Sequence, residues 1–139
     1  MSDCDGMSIR IQNEAVDSTG QATTVEIQGL NPWSTSTLRG FTVGEKISGG
    51  GGSASGSAFS GNGTDGKASG TIQIAAVWNA SSGPEILNLN YQGTPGNKLG
   101  WYGCSPQPTS NGTAHFYVTT SAQSGKGGQC QQVFYIRNY

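Results

Sequence analysis

Residues 70–78 read Gly-Thr-Ile-Gln-Ile-Ala-Ala-Val-Trp, and residues 85–91 read Glu-Ile-Leu-Asn-Leu-Asn-Tyr. In both stretches, apolar side chains recur at every second residue, which is the period of a β-strand with one buried face. Residues 79–84 between them are rich in turn formers. We therefore predict two strands separated by a turn, with Ile72, Ile74 and Trp78 facing the core.

The same alternation extends to both ends of the chain. It recurs in Met7/Ile9/Ile11, Val25/Ile27, Phe41/Val43 and Ala114/Phe116/Val118, while residues 133–136 are apolar on both faces. No window carries a capped helical period, and 139 residues are enough for one ordinary domain. The sequence predicts a single all-β domain over residues 1–139, an antiparallel β-sandwich of about eight or nine short strands with little or no helix.

Residues 48–58 read Ser-Gly-Gly-Gly-Gly-Ser-Ala-Ser-Gly-Ser-Ala and offer few side chains to pack. Such a composition predicts a flexible Gly/Ser-rich loop inside the domain. The alternative is a flat glycine strand lying close to another backbone.

Composition excludes several classes of function. Gly, Ser, Thr, Asn and Gln supply 72 of the 139 residues, and charged residues only 11%, against roughly 25% in typical domains. Seven basic and eight acidic residues without a basic cluster argue against a nucleic-acid partner. No apolar run could span a membrane, and one histidine excludes multi-histidine metal sites. We expect no cofactor and a neutral polar partner.

The three cysteines leave the redox state open. Cys104 and Cys130 could form a disulfide, Cys4 could pair with Cys130 instead, or all three could be reduced. No signal-peptide pattern precedes the first strand, so extracellular and cytoplasmic locations both remain open.

Aromatic residues set among amides and hydroxyls are the most informative functional signal. The predicted ligand contacts are the aromatic residues Trp33, Tyr91, Trp101 and Tyr102 and the amide residue Asn97. Aromatic rings stack on the apolar face of a sugar while amides bond its hydroxyls, and Trp and Tyr also settle at membrane interfaces. The alternative is that Trp33 and Trp101 cap the two ends of a thin core.

A catalytic constellation is harder to find. His115 is the sole histidine, expected on a sheet surface, and it has no serine–aspartate partners nearby in sequence. No pair of carboxylates has a setting typical of glycosidases. A small hydrolase is therefore the least favoured interpretation.

Three segments resemble the aegerolysin and actinoporin-like small β-sandwich proteins. They are residues 8–13 (Ser-Ile-Arg-Ile-Gln-Asn), residues 70–74 (Gly-Thr-Ile-Gln-Ile) and residues 85–91 leading to Thr94-Pro-Gly-Asn97. The resemblance implies binding to membrane lipids or their sugar headgroups, sometimes followed by pore formation. This chain has no N-terminal amphipathic helix, and the Trp- and Cys-containing turn typical of aegerolysins is not matched around Pro95.

Together these features predict a non-enzymatic protein that recognises a neutral glycan or a lipid headgroup, with peripheral membrane contact as one form of that activity. The alternative is a self-assembling surface, fibre or capsid-like subunit, because backbone-rich, neutral-polar composition also favours packing between copies. Homo-oligomers fit either function.

Overall fold

The computed structural model of the protein describes residues 7–33, 36–60, 68–95, 104–106, 111–123 and 130–139, with only the backbone described at 60, 94–95 and 104–106. These residues form eleven strands and no helix. The strands are β1 (Met7–Asn13), β2 (Val25–Pro32), β3 (Ser36–Arg39), β4 (Lys46–Ile47), β5 (Gly52–Ser60), β6 (Ala68–Ala76), β7 (Glu85–Pro95), β8 (Cys104–Pro106), β9 (Asn111–Gly112), β10 (Phe116–Gln123) and β11 (Gln131–Asn138).

The strands form two sheets that enclose one apolar core. The six-stranded sheet has the order β3-β5-β1-β11-β10-β9, and the five-stranded sheet has the order β4-β2-β6-β7-β8. The predicted all-β sandwich is confirmed. In the described ranges no helix is long and apolar enough to cross a membrane.

Strand alternation builds the core as the sequence predicts. On β1, Met7, Ile9 and Ile11 are buried while Ser8 and Arg10 are exposed. In the facing sheet, Ile72 is paired with Leu89 and Ile74 with Leu87, and all four side chains are buried. Full burial of each such side chain contributes about 1.5–3 kcal/mol.

Buried Asn13 ties the two sheets together at the end of β1. Its Nδ2 donates to the carbonyl oxygens of Thr23 at 2.7 Å and Ile47 at 2.9 Å, and its Oδ1 accepts from the Ala15 amide at 3.0 Å. Ile47 belongs to β4 in the five-stranded sheet. A polar side chain is tolerated in the core here because its donors and acceptor are satisfied.

The expectation of a purely antiparallel sandwich is wrong at one pair of strands. β1 and β11 run parallel, with Ile11 opposite Phe134. The first and last of the described strands thereby lie side by side, which sequence alternation cannot reveal. The expected count of eight or nine strands falls short of the eleven observed because β4, β8 and β9 have only two or three residues.

The predicted loop at 48–58 is also corrected, in favour of the glycine-strand alternative. Only residues 48–51 lie outside a strand, and β5 is hydrogen-bonded between β3 and β1. Glycine is required at Gly56, where a Cβ would meet the Arg39 carbonyl oxygen and lie 2.5 Å from Cε2 of Phe41. The small residues thus let neighbouring chain segments approach closely.

Candidate functional site

The outer side of the five-stranded sheet carries an almost uncharged polar surface, which we call the amide face. From Ser69 to Gln73 on β6 and from Asn88 to Gln92 on β7, the residues that alternate with the buried core side chains are polar and at least partly exposed. The next outward pair, Ala75 and Ile86, is apolar and ends this polar surface. The amide face consists of Gln28, Asn31, Ser69, Thr71, Gln73, Asn88, Asn90 and Gln92.

Strand register arranges these side chains in rows across the sheet. Asn31 is paired with Thr71 and Thr71 with Asn90, and in the next row Gln73 is paired with Asn88. Thr71 Oγ1 donates to Asn90 Oδ1 at 2.8 Å, and Gln73 Nε2 donates to Asn88 Oδ1 at 3.3 Å. Neighbouring strands lie about 4.8 Å apart, so the rows present closely spaced donors and acceptors.

A β-bulge in β2 leaves a notch in the amide face. The register with β6 shifts between Ile27 and Gly29, and Gly29 then lies opposite Gln73. A Cβ at Gly29 would lie 3.4 Å from Asn31 Nδ2 and 3.8 Å from Gln73 Cβ, so it would share their side of the sheet. Because Gly29 has no side chain, the space beside Gln73 and Asn31 stays open.

Trp33 lies at one end of the amide face. Its backbone amide donates to the Ser69 carbonyl oxygen at 2.8 Å, which continues the β2–β6 ladder and gives Trp33 the same strand parity as Asn31. The Ser36 hydroxyl lies 2.7 Å from the Trp33 carbonyl oxygen and 2.6 Å from that of Ser69. Trp33 is 52% exposed, so the alternative in which it caps the core is wrong.

A shallow concavity of about 400 Å³ lies at the opposite end of the same sheet. Glu26 and Gln28 on β2, Lys46 on β4, and Val77 and Pro84 beyond β6 line it. Sequence reasoning missed this feature, because it depends on strand β4, which has only two residues.

Tyr91 does not belong to an exposed site, contrary to its place among the predicted contact residues. It is 1% exposed and shares the inward parity of Leu87 and Leu89. Burial raises the pKa of Tyr91 to about 12. Its hydroxyl lies against Gly70 and has no hydrogen-bond partner among the described residues. The parity shared with the two leucines was the sequence signal for a core position.

The other predicted contacts, Asn97, Trp101 and Tyr102, lie outside the described residues. Cys104 begins β8, where only the backbone is described, and Cys130 is buried immediately before β11. The Cys104–Cys130 disulfide therefore stays a prediction.

His115 lies in a separate polar cluster near the end of the sandwich. Its ring is parallel to that of Trp78, with centroids 4.3 Å apart and an interplanar angle of 7°. Nδ1 lies 2.6 Å from Glu85 Oε2, while Glu85 Oε1 accepts from Thr113 Oγ1 at 2.6 Å and from the His115 amide at 2.9 Å. Trp78 is partly buried against the core, in keeping with its predicted position.

The electrostatics of this cluster favour an ionised carboxylate. Partial burial pushes the pKa of Glu85 upward, but hydrogen bonds from Thr113 and His115 outweigh it and hold the pKa below its ordinary value. Within the described ranges, the His115 ring bonds no serine, threonine or cysteine side chain, and no three potential metal ligands cluster. The cluster is thus a hydrogen-bonded histidine–glutamate pair in which the Thr113 hydroxyl bonds the carboxylate and not the imidazole.

Comparison with solved structures finds the same architecture elsewhere. The chain matches the crystal structure of IP-1A from Alcaligenes faecalis over 97% of its own length and 93% of that protein, with a TM-score of 0.52 and 12% sequence identity. No protein-family model and no curated protein matches the chain. At this identity the likeness to IP-1A extends to the fold and not to function.

Proposed function

We propose that the protein is a non-enzymatic β-sandwich that binds a neutral glycan, free or as the headgroup of a lipid, on the amide face. The observation that carries the proposal is the alignment of exposed Trp33 with rows of amide and hydroxyl side chains on one side of one sheet. A tryptophan ring offers a flat apolar platform to a sugar, and the neighbouring amides offer both donors and acceptors to its hydroxyls.

The charge distribution supports a neutral ligand. The eight side chains of the amide face are all uncharged. Glu26 borders the face, where its Oε1 accepts from Gln28 Nε2 at 2.7 Å, and Lys46 lies beside the concavity. An uncharged surface lacks the attraction that anionic ligands use, so selectivity rests on hydrogen-bond geometry.

The resemblance to aegerolysin and actinoporin-like proteins supports the same class of ligand, because it implies recognition of membrane lipids or their sugar headgroups. A glycan carried on a lipid would bring the protein to a membrane surface as a peripheral contact.

A glycan array, together with vesicles that carry neutral glycolipids, tests the proposal. Trp33→Ala and Asn90→Ala should each weaken binding about fivefold, since stacking and one hydrogen bond are each worth on the order of 1 kcal/mol. Thr119→Ala and Ser121→Ala on the outer side of the six-stranded sheet are the matched controls and should bind as the parent does. No binding to any neutral glycan, or equal losses in the control variants, would contradict the proposal.

Self-assembly is the second candidate, and one observation favours it. Asn and Gln side chains both donate and accept, so the amide face is chemically complementary to a second copy of itself. Sedimentation at increasing protein concentration separates the two functions. If the parent assembles and Asn88→Asp and Asn90→Asp abolish that assembly, the result would favour a self-assembling subunit. A parent that stays monomeric at all concentrations would exclude this function.

A further inference from the structure

The two sheets present outer faces of different charge. Three of the four described Lys and Arg side chains, namely Arg10, Arg39 and Arg137, alternate with core positions on the six-stranded sheet. Glu14, which bonds Arg137 at 2.8 Å, is the one carboxylate in contact with any of them among the described residues. In a chain with a net charge of −1, this face is locally cationic.

Arg10 and Arg39 flank a floor of serines. Arg39 is paired with Ser57, and Ser57 with Ser8, while Arg10 is paired with Ser55 on the adjacent row. Rows two residues apart and strands about 4.8 Å apart place the two arginine Cα atoms about 12 Å from one another. The Arg39 guanidinium lies over Phe59, on the side of Ser57 away from Ser55, so the two guanidinium groups suit two successive anionic groups of one ligand.

Both guanidinium groups are available to a ligand. Arg10 and Arg39 are exposed, and neither makes an ion pair with a described residue. The Arg39 guanidinium lies over the Phe59 ring at 5.0 Å from its centroid, which orders it without consuming its hydrogen-bond donors. Arg137 differs, because its Nε is already bonded to Glu14.

We propose that Arg10 and Arg39, with Ser8, Ser55 and Ser57 between them, form a second binding site, for the sulfate or carboxylate groups of an acidic polysaccharide. Guanidinium groups bind such anions through paired N–H donors, and serine hydroxyls between them can bond the neighbouring sugar hydroxyls. A polysaccharide fits this face better than an acidic membrane does. The five large exposed apolar side chains described are not gathered between Arg10 and Arg39. Trp33, Val77 and Ile86 lie on or beside the other sheet, Val43 lies between β3 and β4, and Tyr139 packs against Tyr117 of β10.

Binding of fluorescent sulfated dextran and uncharged dextran, measured over a range of salt concentrations, tests this site. Sulfated dextran should bind at low salt and weaken as salt rises, and Arg10→Ala and Arg39→Ala should each weaken it at least tenfold. Lys46→Ala removes the same charge from the other sheet and should change affinity less than twofold. Arg10→Lys should bind between the parent and Arg10→Ala, because it keeps charge but loses the planar donor pair.

Several results would overturn the proposal. One is that the folded parent does not bind sulfated dextran, and another is that both arginine variants bind it as the parent does. A loss of affinity in Lys46→Ala equal to that in the arginine variants would also overturn the proposal, as would stronger binding to phosphatidylserine vesicles than to sulfated dextran. Trp33→Ala should leave sulfated dextran binding intact, so failure of the amide face and failure of this site are separate outcomes.

Discussion

The carboxylate of Glu85 makes three contacts through its two oxygens with Thr113 and His115, two residues that follow β9. Oε2 lies 2.6 Å from His115 Nδ1, and Oε1 accepts from Thr113 Oγ1 and the His115 amide. Glu85 opens β7 in the five-stranded sheet, whereas Thr113 and His115 lie between β9 and β10 of the six-stranded sheet. The carboxylate therefore joins the two sheets at one end of the sandwich, where Trp78 stacks on the imidazole.

Glu85 should make stability depend on acidity. Its folded pKa lies below the ordinary value of 4.5, so the unfolded chain binds the proton more readily than the native state. The stabilisation is present above about pH 4.5 and is lost as the pH falls through the folded pKa. Urea unfolding at pH 3 to 7 should show this loss in the parent and a smaller one in Glu85→Gln. An equal acid dependence in both would contradict it.

Tyr91→Phe should be neutral or stabilising by up to about 1 kcal/mol, because it removes a buried hydroxyl that has no described partner. The parent should also lose stability as the pH rises from 10 towards 12. Since burial raises the folded pKa to about 12, the unfolded chain loses the phenolic proton first. Urea unfolding at pH 8 to 11 measures both effects, and Tyr91→Phe should show the weaker alkaline loss. A destabilisation above 1 kcal/mol would mean that the hydroxyl is satisfied.

Gly56→Ala should destabilise the protein by about 1–3 kcal/mol, the usual range for overpacking. The added methyl would meet the Arg39 backbone and the Phe41 ring, and backbone cannot move aside cheaply. Gly83→Ala is the matched control, because its Cβ would meet nothing within 4 Å and its backbone needs no left-handed conformation. Thermal unfolding of both variants measures the difference, and Gly56→Ala should have the lower melting temperature. Similar melting temperatures would contradict the close approach of neighbouring backbone at Gly56.

Sequence alternation predicts most of the core and the two-layer architecture because burial of one strand face repeats every second residue. Ile72, Ile74, Leu87 and Leu89 all lie where the pattern places them. It fails at β5, where glycine and serine give no apolar signal although neighbouring backbones need their small size. Sequence alternation also cannot assign β11 as the parallel partner of β1, since pairing between strands so far apart in the chain leaves no local trace.

The candidate site was predictable only in part, and for a similar reason. Trp33 follows Asn31-Pro32, a turn-forming pair that correctly predicts a surface position. The turn residues after Tyr91 likewise predict an exposed contact residue, but its strand parity with Leu87 and Leu89 places it in the core. The amide face depends on which strands become neighbours. Asn31 and Asn90 are 59 positions apart in the chain, yet they occupy one row through Thr71.

Gly29→Thr offers a direct test of whether the notch in the amide face receives ligand. The position has ordinary contact distances to Asn31 and Gln73, and its backbone lies outside the left-handed region, so the variant should fold. Its stability should equal or exceed that of the parent by up to about 1 kcal/mol, because glycine is disfavoured within strands. The new side chain would nevertheless occupy the space beside Gln73, and glycan affinity should fall severalfold. Ser121→Thr on the opposite sheet adds a methyl group without touching the notch and should bind as the parent does. Unchanged affinity of a folded Gly29→Thr would place the ligand elsewhere on the sheet, away from the bulge.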